Sequence, residues 1–241
     1  MRYVIILSLA ALALCGETNI NVLFSYKSGA VAYYNSQRVN ASEYARAAAL
    51  RDSIAKSARV RAVFIADVLP EAGNEIVALK NDGREGFSIH ATNGSTVFSY
   101  TPSGTTAVSS AMELSGHRDA TNEFRVLKYY VLTEKPDRRH ADCHLFRIDT
   151  DGISLITVVQ FYDEIRTKRG VYTTTMESIF VDITKDGYLD LLIAQVEQGV
   201  TKSRAEYQLY SYCPKEKVYA FTLSDLGQED AVSYAAYFAR K

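Results

Sequence analysis

Two stretches place carboxylates where they could do chemistry together. In one, the apolar run Val63-Phe64-Ile65-Ala66 leads into Asp67, Glu71 and Glu75, and Ile76-Val77-Ala78-Leu79 follows. In the other, Ile179-Phe180-Val181 leads into Asp182, Asp186 and Asp190, and Leu191-Leu192-Ile193 follows. Each phrase is strand, acid, acid four residues on, acid four further on, strand. A tight loop with that spacing brings three carboxylates around one point. A hard cation such as Ca²⁺ asks for such a cage of oxygens. The plainer reading is a hairpin whose acids sit in a solvated tip. A second cluster, His140, Asp142, Cys143 and His144, has metal-capable side chains, but Pro136-Asp137-Arg138-Arg139 ahead of it reads as a loop. No second ligand pair stands at zinc spacing, so a solvated loop entering a strand is preferred.

The second phrase resembles the loop of FG-GAP/VCBS repeats, the family that includes the β-propeller repeats of integrin α-subunits. That loop reads Asp-x-Asp-x-Asp-Gly-x-x-Asp between two strands. Asp182, Asp186, Gly187 and Asp190 keep its first, fifth, sixth and ninth positions, and Thr184 stands at the third with only a hydroxyl. The runs Tyr207–Tyr210 and Lys217–Phe221 match the following strands of such a unit. The Asp67 copy is weaker, with Leu69 at the third position and Gly73 one place late. The resemblance implies propeller-like units, binding rather than catalysis, and Ca²⁺ as a structural ion. Its ligands would be Asp182, Thr184, Asp186, Tyr188 and Asp190, with Asp67, Glu71 and Glu75 as a weaker set. The two copies are far enough apart for one further unit between them, with Asp149-Thr150-Asp151-Gly152 as its remnant turn.

The elements that would hold these loops are mostly strands. Val22–Tyr26 and Ala30–Tyr34 form a hairpin about Gly29, and 41–58 is an amphipathic helix whose Asn40 and Glu43 make a capping box. Beyond residue 60, Val, Ile, Tyr, Phe and Thr-rich runs alternate with turn tokens such as Asn93-Gly94, Asp151-Gly152 and Asp186-Gly187. That grammar predicts a mainly β chain of antiparallel propeller-like or meander units with one N-terminal helix. The Ser/Thr/Gly-rich stretch 101–122 reads as a long loop and the one linker, and 228–240 as a closing helix or strand. The divisions expected are a signal peptide over 1–15, a hairpin and helix over 16–60, and a β domain over 61–241.

Composition narrows the function classes. Of the 241 residues 47% are hydrophobic and 23% charged, which excludes a low-complexity chain. A net charge of -1 with scattered bases gives no footprint for nucleic acid. Arg2 followed by apolar Val4–Leu14 has the length of a signal-peptide core, well under the roughly 20 residues of a membrane span. A buried N-terminal strand or a short anchor helix is the other reading. Leu12-Ala13-Leu14-Cys15-Gly16 resembles the lipobox of bacterial lipoproteins, which makes Cys15 the lipidated residue; cleavage after Ala13 competes with it. Such an anchor ties a protein to a membrane without a spanning helix. Cys143 and Cys213 then remain, an even pair for a disulfide in an oxidising compartment, or two core thiols.

No Gly-x-Ser-x-Gly, His-Glu-x-x-His, Gly-Lys-Ser/Thr or Gly-x-Gly-x-x-Gly occurs. Cys143 as nucleophile would need His90 or His117 brought to it by the fold. The function expected is an exported periplasmic or cell-surface binding module for a protein or a cell-wall glycan, one version being an inhibitor of a wall-degrading enzyme. The alternative is an extracellular or periplasmic glycan hydrolase, whose carboxylate pair has no sequence signature.

Overall fold

The computed structural model describes residues 20–27, 30–33, 49–56, 60–70, 75–80, 86–102, 109–120, 123–199, 203–224 and 228–239. Cys15 and Glu71 lie outside them, as do the proposed leader and the start of the 41–58 helix. Fourteen strands run through the described residues: β1 (Ile20–Lys27), β2 (Ala30–Tyr33), β3 (Val60–Ala66), β4 (Glu75–Lys80), β5 (Phe87–His90), β6 (Thr96–Tyr100), β7 (Ser109–Arg118), β8 (Glu123–Lys135), β9 (Arg138–Asp149), β10 (Gly152–Thr167), β11 (Gly170–Val181), β12 (Asp190–Gln198), β13 (Ser203–Cys213) and β14 (Val218–Ser224). Helical residues 49–55 (α1) precede β3, and helix α2 (Gln228–Ala239) follows β14. The chain is mainly β, as its patterning predicts.

Every strand pairing is antiparallel and nearly every neighbour is sequential. One sheet is the meander β3-β4-β5-β6; the other has ten strands in the order β14-β13-β12-β11-β10-β9-β8-β7-β1-β2. The N-terminal hairpin extends the large sheet, because β1 pairs with β7.

Within the 101–122 stretch expected to be a linker, residues 109–118 form an interior strand of the large sheet. β7 pairs with β1 on one side and, from Ser109 to Arg118, with β8 on the other. Its pattern is faint because only Met112 and Leu114 are large and apolar on the buried side, with small residues around them. Neighbours on both edges supply the hydrogen bonds that composition did not advertise.

Opposite faces of β8 and β9 are both buried, which sets the layers. Leu127, Tyr129, Val131, Phe146 and Ile148 meet Val77, Leu79, Phe87 and Ile89 of the small sheet. Phe87 packs edge-on to Tyr129 and Phe146, with centroids 5.1 and 5.6 Å apart. Leu50 and Ile54 of α1 cover the far side of the small sheet over Val63, Ile65, Ile76 and Ala78. On their other face Phe124, Val126, Cys143 and Leu145 meet Val159, Met176, Leu191 and Ile193.

That last contact requires the ten-stranded sheet to curl onto itself. β10 provides the corner. It pairs with β9 along most of its length but with β11 only where Tyr162–Thr167 oppose Gly170–Thr175. Register shifts at Leu155/Thr157 and Gln160/Tyr162 bend it, as bulges do. From Met176 onward β11 leaves β10 and, with β12–β14, folds back over β8 and β9. Three four-stranded meanders result, β3–β6, β7–β10 and β11–β14, stacked face to face.

Candidate functional site

Over their described residues the two acidic phrases share one arrangement. Each closes an antiparallel hairpin in which the ninth-position acid opens the second strand: Ala66 pairs with Glu75, and Val181 with Asp190. Glu75 Oε2 accepts the N–H groups of Val68 (2.7 Å) and Leu69 (3.1 Å). Asp190 Oδ2 accepts those of Ile183 and Thr184, both at 3.0 Å, and the Thr184 hydroxyl at 3.2 Å. The sequence repeat is therefore a repeated clamp, one carboxylate satisfying the two amides that begin each loop. Such amides turn inward without a strand partner, and leaving them bare would cost about 1–3 kcal/mol each.

The rest of the second loop is held the same way. Asp182 accepts from the N–H groups of Asp186 (3.2 Å) and Gly187 (3.0 Å), and Asp186 from that of Tyr188 (2.9 Å). Tyr212 N–H reaches Asp190 Oδ1 at 3.2 Å and ties the loop to β13. Gly187 has φ +90°, and a Cβ there would lie 2.9 Å from that of Ala120, whose N–H donates to Gly187 O at 2.8 Å. Glycine is required on both counts.

In this arrangement the loop carboxylates are engaged by the protein's own donors. Asp190 is 1% exposed, and its Oδ2 already takes three donors. An ion there would displace the amides of Ile183 and Thr184. In the first loop Asp67 is bound by Arg125, at 2.7 and 3.3 Å, so a cation is already supplied by the protein. Among the described residues no group of three His, Cys, Asp or Glu side chains converges to hold a metal.

Beside the second loop, Arg147 of β9 fastens the fold-over. Its guanidinium lies 3.8 Å from the Phe124 ring centroid and 4.3 Å from that of Tyr212. It bonds Asp119 (3.1 Å), Asp149 (3.0 Å) and Tyr219 Oη (3.3 Å), and Tyr219 Oη donates to Leu189 O at 3.1 Å. The Asp119 side chain is fully buried. His117 stacks close by on Phe124 and lies tilted against Phe180; burial pushes its pKa down to about 4, with Lys128 and Arg147 adding repulsion. Nothing in the sequence marks Arg147 as part of this loop's surroundings, since apart from Asp149 its partners come from β8, β13, β14 and residue 119.

The His140–His144 cluster is strand, not loop. His140 Nε2 lies 3.0 Å from Asp142, and His140 Nδ1 3.5 Å from Asp163, which Arg138 grips at 2.7 and 2.9 Å. His144 Nδ1 meets Tyr100 Oη at 2.9 Å. These are pairings within and between strands. Cys143 and Cys213 do not form the expected disulfide: both thiols are free. Cys143 is packed in the interior between the folded halves, and burial pushes its thiol up to about 12, far from a nucleophile's range.

A cleft of about 220 Å³ opens where β11 leaves β10. Val158, Val159 and Gln160 of β10 form one wall and Met176 of β11 another; Ile193, Gln195, Gln208 and Tyr210 of β12 and β13 also line it. Tyr210 Oη donates to Gln208 Oε1 at 3.3 Å, accepts from Thr157 Oγ1 at 3.5 Å, and the ring packs on Phe221, 5.2 Å away. The lining carries three amides and a phenol and no charge. Its volume is below the roughly 300–1,000 Å³ of drug-sized sites, so it suits one small group such as a side chain or a sugar ring. These residues were legible as strand, but the curl alone gathers them.

Among the described residues no helix is long and apolar enough to cross a membrane. No family model, curated protein or solved structure matches the chain.

Proposed function

We propose that the chain is an exported β-repeat binding module that recognises a protein or a cell-wall glycan through the neutral cleft between β10 and β11–β13. In this reading Arg2 and Val4–Leu14 direct export, and Cys15 carries a lipid that holds the module on a membrane at the periplasmic or cell-surface side. The three stacked meanders are its propeller-like units, and the clamped loops at 67–75 and 182–190 are the FG-GAP-like joints that stiffen them. Ca²⁺ binding would require those clamps to open.

The observation that carries the reading is the chemistry of the cleft. Gln160, Gln195 and Gln208 offer donors and acceptors without charge, and Val158, Met176 and Tyr210 offer apolar contact. That combination suits recognition of an uncharged polar group. A glycan hydrolase would instead place two carboxylates about 5–10 Å apart across a substrate cleft.

The test is retention on insoluble cell-wall glycan and on detergent-solubilised envelope proteins coupled to resin. Saturable retention of the wild type, lost in Gln195→Ala/Tyr210→Ala, is the expected result, with Cys15→Ser moving the protein from the membrane to the soluble exported fraction. Release of new reducing ends from the glycan would overturn the binding reading in favour of the hydrolase.

A further inference from the structure

β10 changes character along its length. From Tyr162 to Thr167 it is paired on both sides; from Gly152 to Phe161 it pairs, among the described residues, with β9 alone. Consecutive strand side chains point to opposite faces. Val158, Val159 and Gln160 nevertheless all line the same cleft. A space that touches all three lies along the strand's edge, where its backbone N–H and C=O groups have no neighbouring strand.

Of the usual edge defences this stretch carries only its two bulges. Proteins usually blunt a free edge with lysine, proline or a very short strand. Residues 152–161, GISLITVVQF, hold no charge and no proline. Leu155 and Val158 there are 45% and 44% exposed.

We propose that this open edge receives an extended, uncharged peptide segment of a partner protein as an added strand, with one of its side chains set into the cleft. The inference rests on the binding-module reading and names its partner. Three features select a peptide. An open strand edge presents alternating donors and acceptors, which another main chain matches along its whole length. The added strand would continue the β10–β11 ladder past its last pair, Tyr162 with Thr175, in the place β11 vacates. The uncharged lining excludes an ionised side chain, which would lose its water without gaining a partner. Main-chain bonding would supply affinity, and the cleft the preference for a particular side chain.

The probes are N-acetylated, C-amidated heptapeptides of alternating Thr and Val with Ala, Ser, Leu or Gln at the centre. The same peptides N-methylated at alternate residues, and chitotetraose, complete the set. The expected result is saturable binding of at least one peptide that shifts the backbone amide signals of 153–161. N-methylation and Val158→Lys should each weaken it at least tenfold, the variant melting within 2–3 °C of the wild type, about 1 kcal/mol or less for a chain of this size. Gln195→Ala, on the cleft lining, should change which central residue is preferred. No peptide binding, or binding indifferent to N-methylation, overturns the added strand. Chitotetraose shifting the same amides while the peptides do not would keep the binding module and replace its partner by a glycan. Concentration-dependent dimers protecting the same amides would assign the edge to a second copy and overturn the proposal.

Discussion

Three wholly or partly buried histidines tie stability to pH. His117, His90 and His144 are all pushed down by burial, so the folded chain resists charging them. The unfolded chain binds those protons from about pH 6.5 downward. Stability is therefore full above that pH and falls as the pH drops toward about 4 for His117. The loss at His117 is on the order of 3 kcal/mol. Glu75 has the opposite sign: its raised pKa favours the fold at low pH and cannot supply an acid loss. Melting temperature should fall steadily between pH 6.5 and 4.5. In His117→Phe, whose ring can fill the space between Phe124 and Phe180, that slope should flatten. An unchanged slope would place the titration elsewhere.

At the scale of elements, the clamped hairpin is the unit that the sequence repeats. Asp190 takes four donors and Glu75 two, so their contributions should differ. Asp190→Asn turns an N–H₂ toward backbone donors and should cost about 3 kcal/mol; Glu75→Gln should cost about half that. Urea midpoints at unchanged slope would measure both. Since the carboxylates are engaged by amides, melting curves in millimolar Ca²⁺ and in chelator should coincide. A rise of several degrees in Ca²⁺, abolished by Asp186→Ala, would show instead that the second loop opens to a cation.

For the whole molecule, the order of layers decides where stability concentrates. β8 and β9 are covered on one face by the small sheet and on the other by β11–β14. Backbone amides of 126–131 and 143–148 should be the last to exchange with solvent, because only global opening exposes them. Those of 154–160 that point away from β9 should exchange early. Protection there equal to that of β9 would mean that the β10 edge is closed in solution.

Strand-forming runs and turn dipeptides made most strands legible, because side-chain alternation and positive-φ glycines are local properties. The repeated phrase was legible for the same reason: the clamp joins residues six and seven positions apart. Its hydrogen bonding was not. Whether a carboxylate faces an ion or an amide depends on where each N–H points, and only the folded loop sets that. β7 was hidden because its pairing comes from both neighbours rather than from its own small side chains. The fate of Cys143, the Arg147 knot and the cleft at Gln195 and Tyr210 depend on one event, the curl at β10. That event brings strands far apart in sequence face to face, and no local pattern encodes which inner faces will meet.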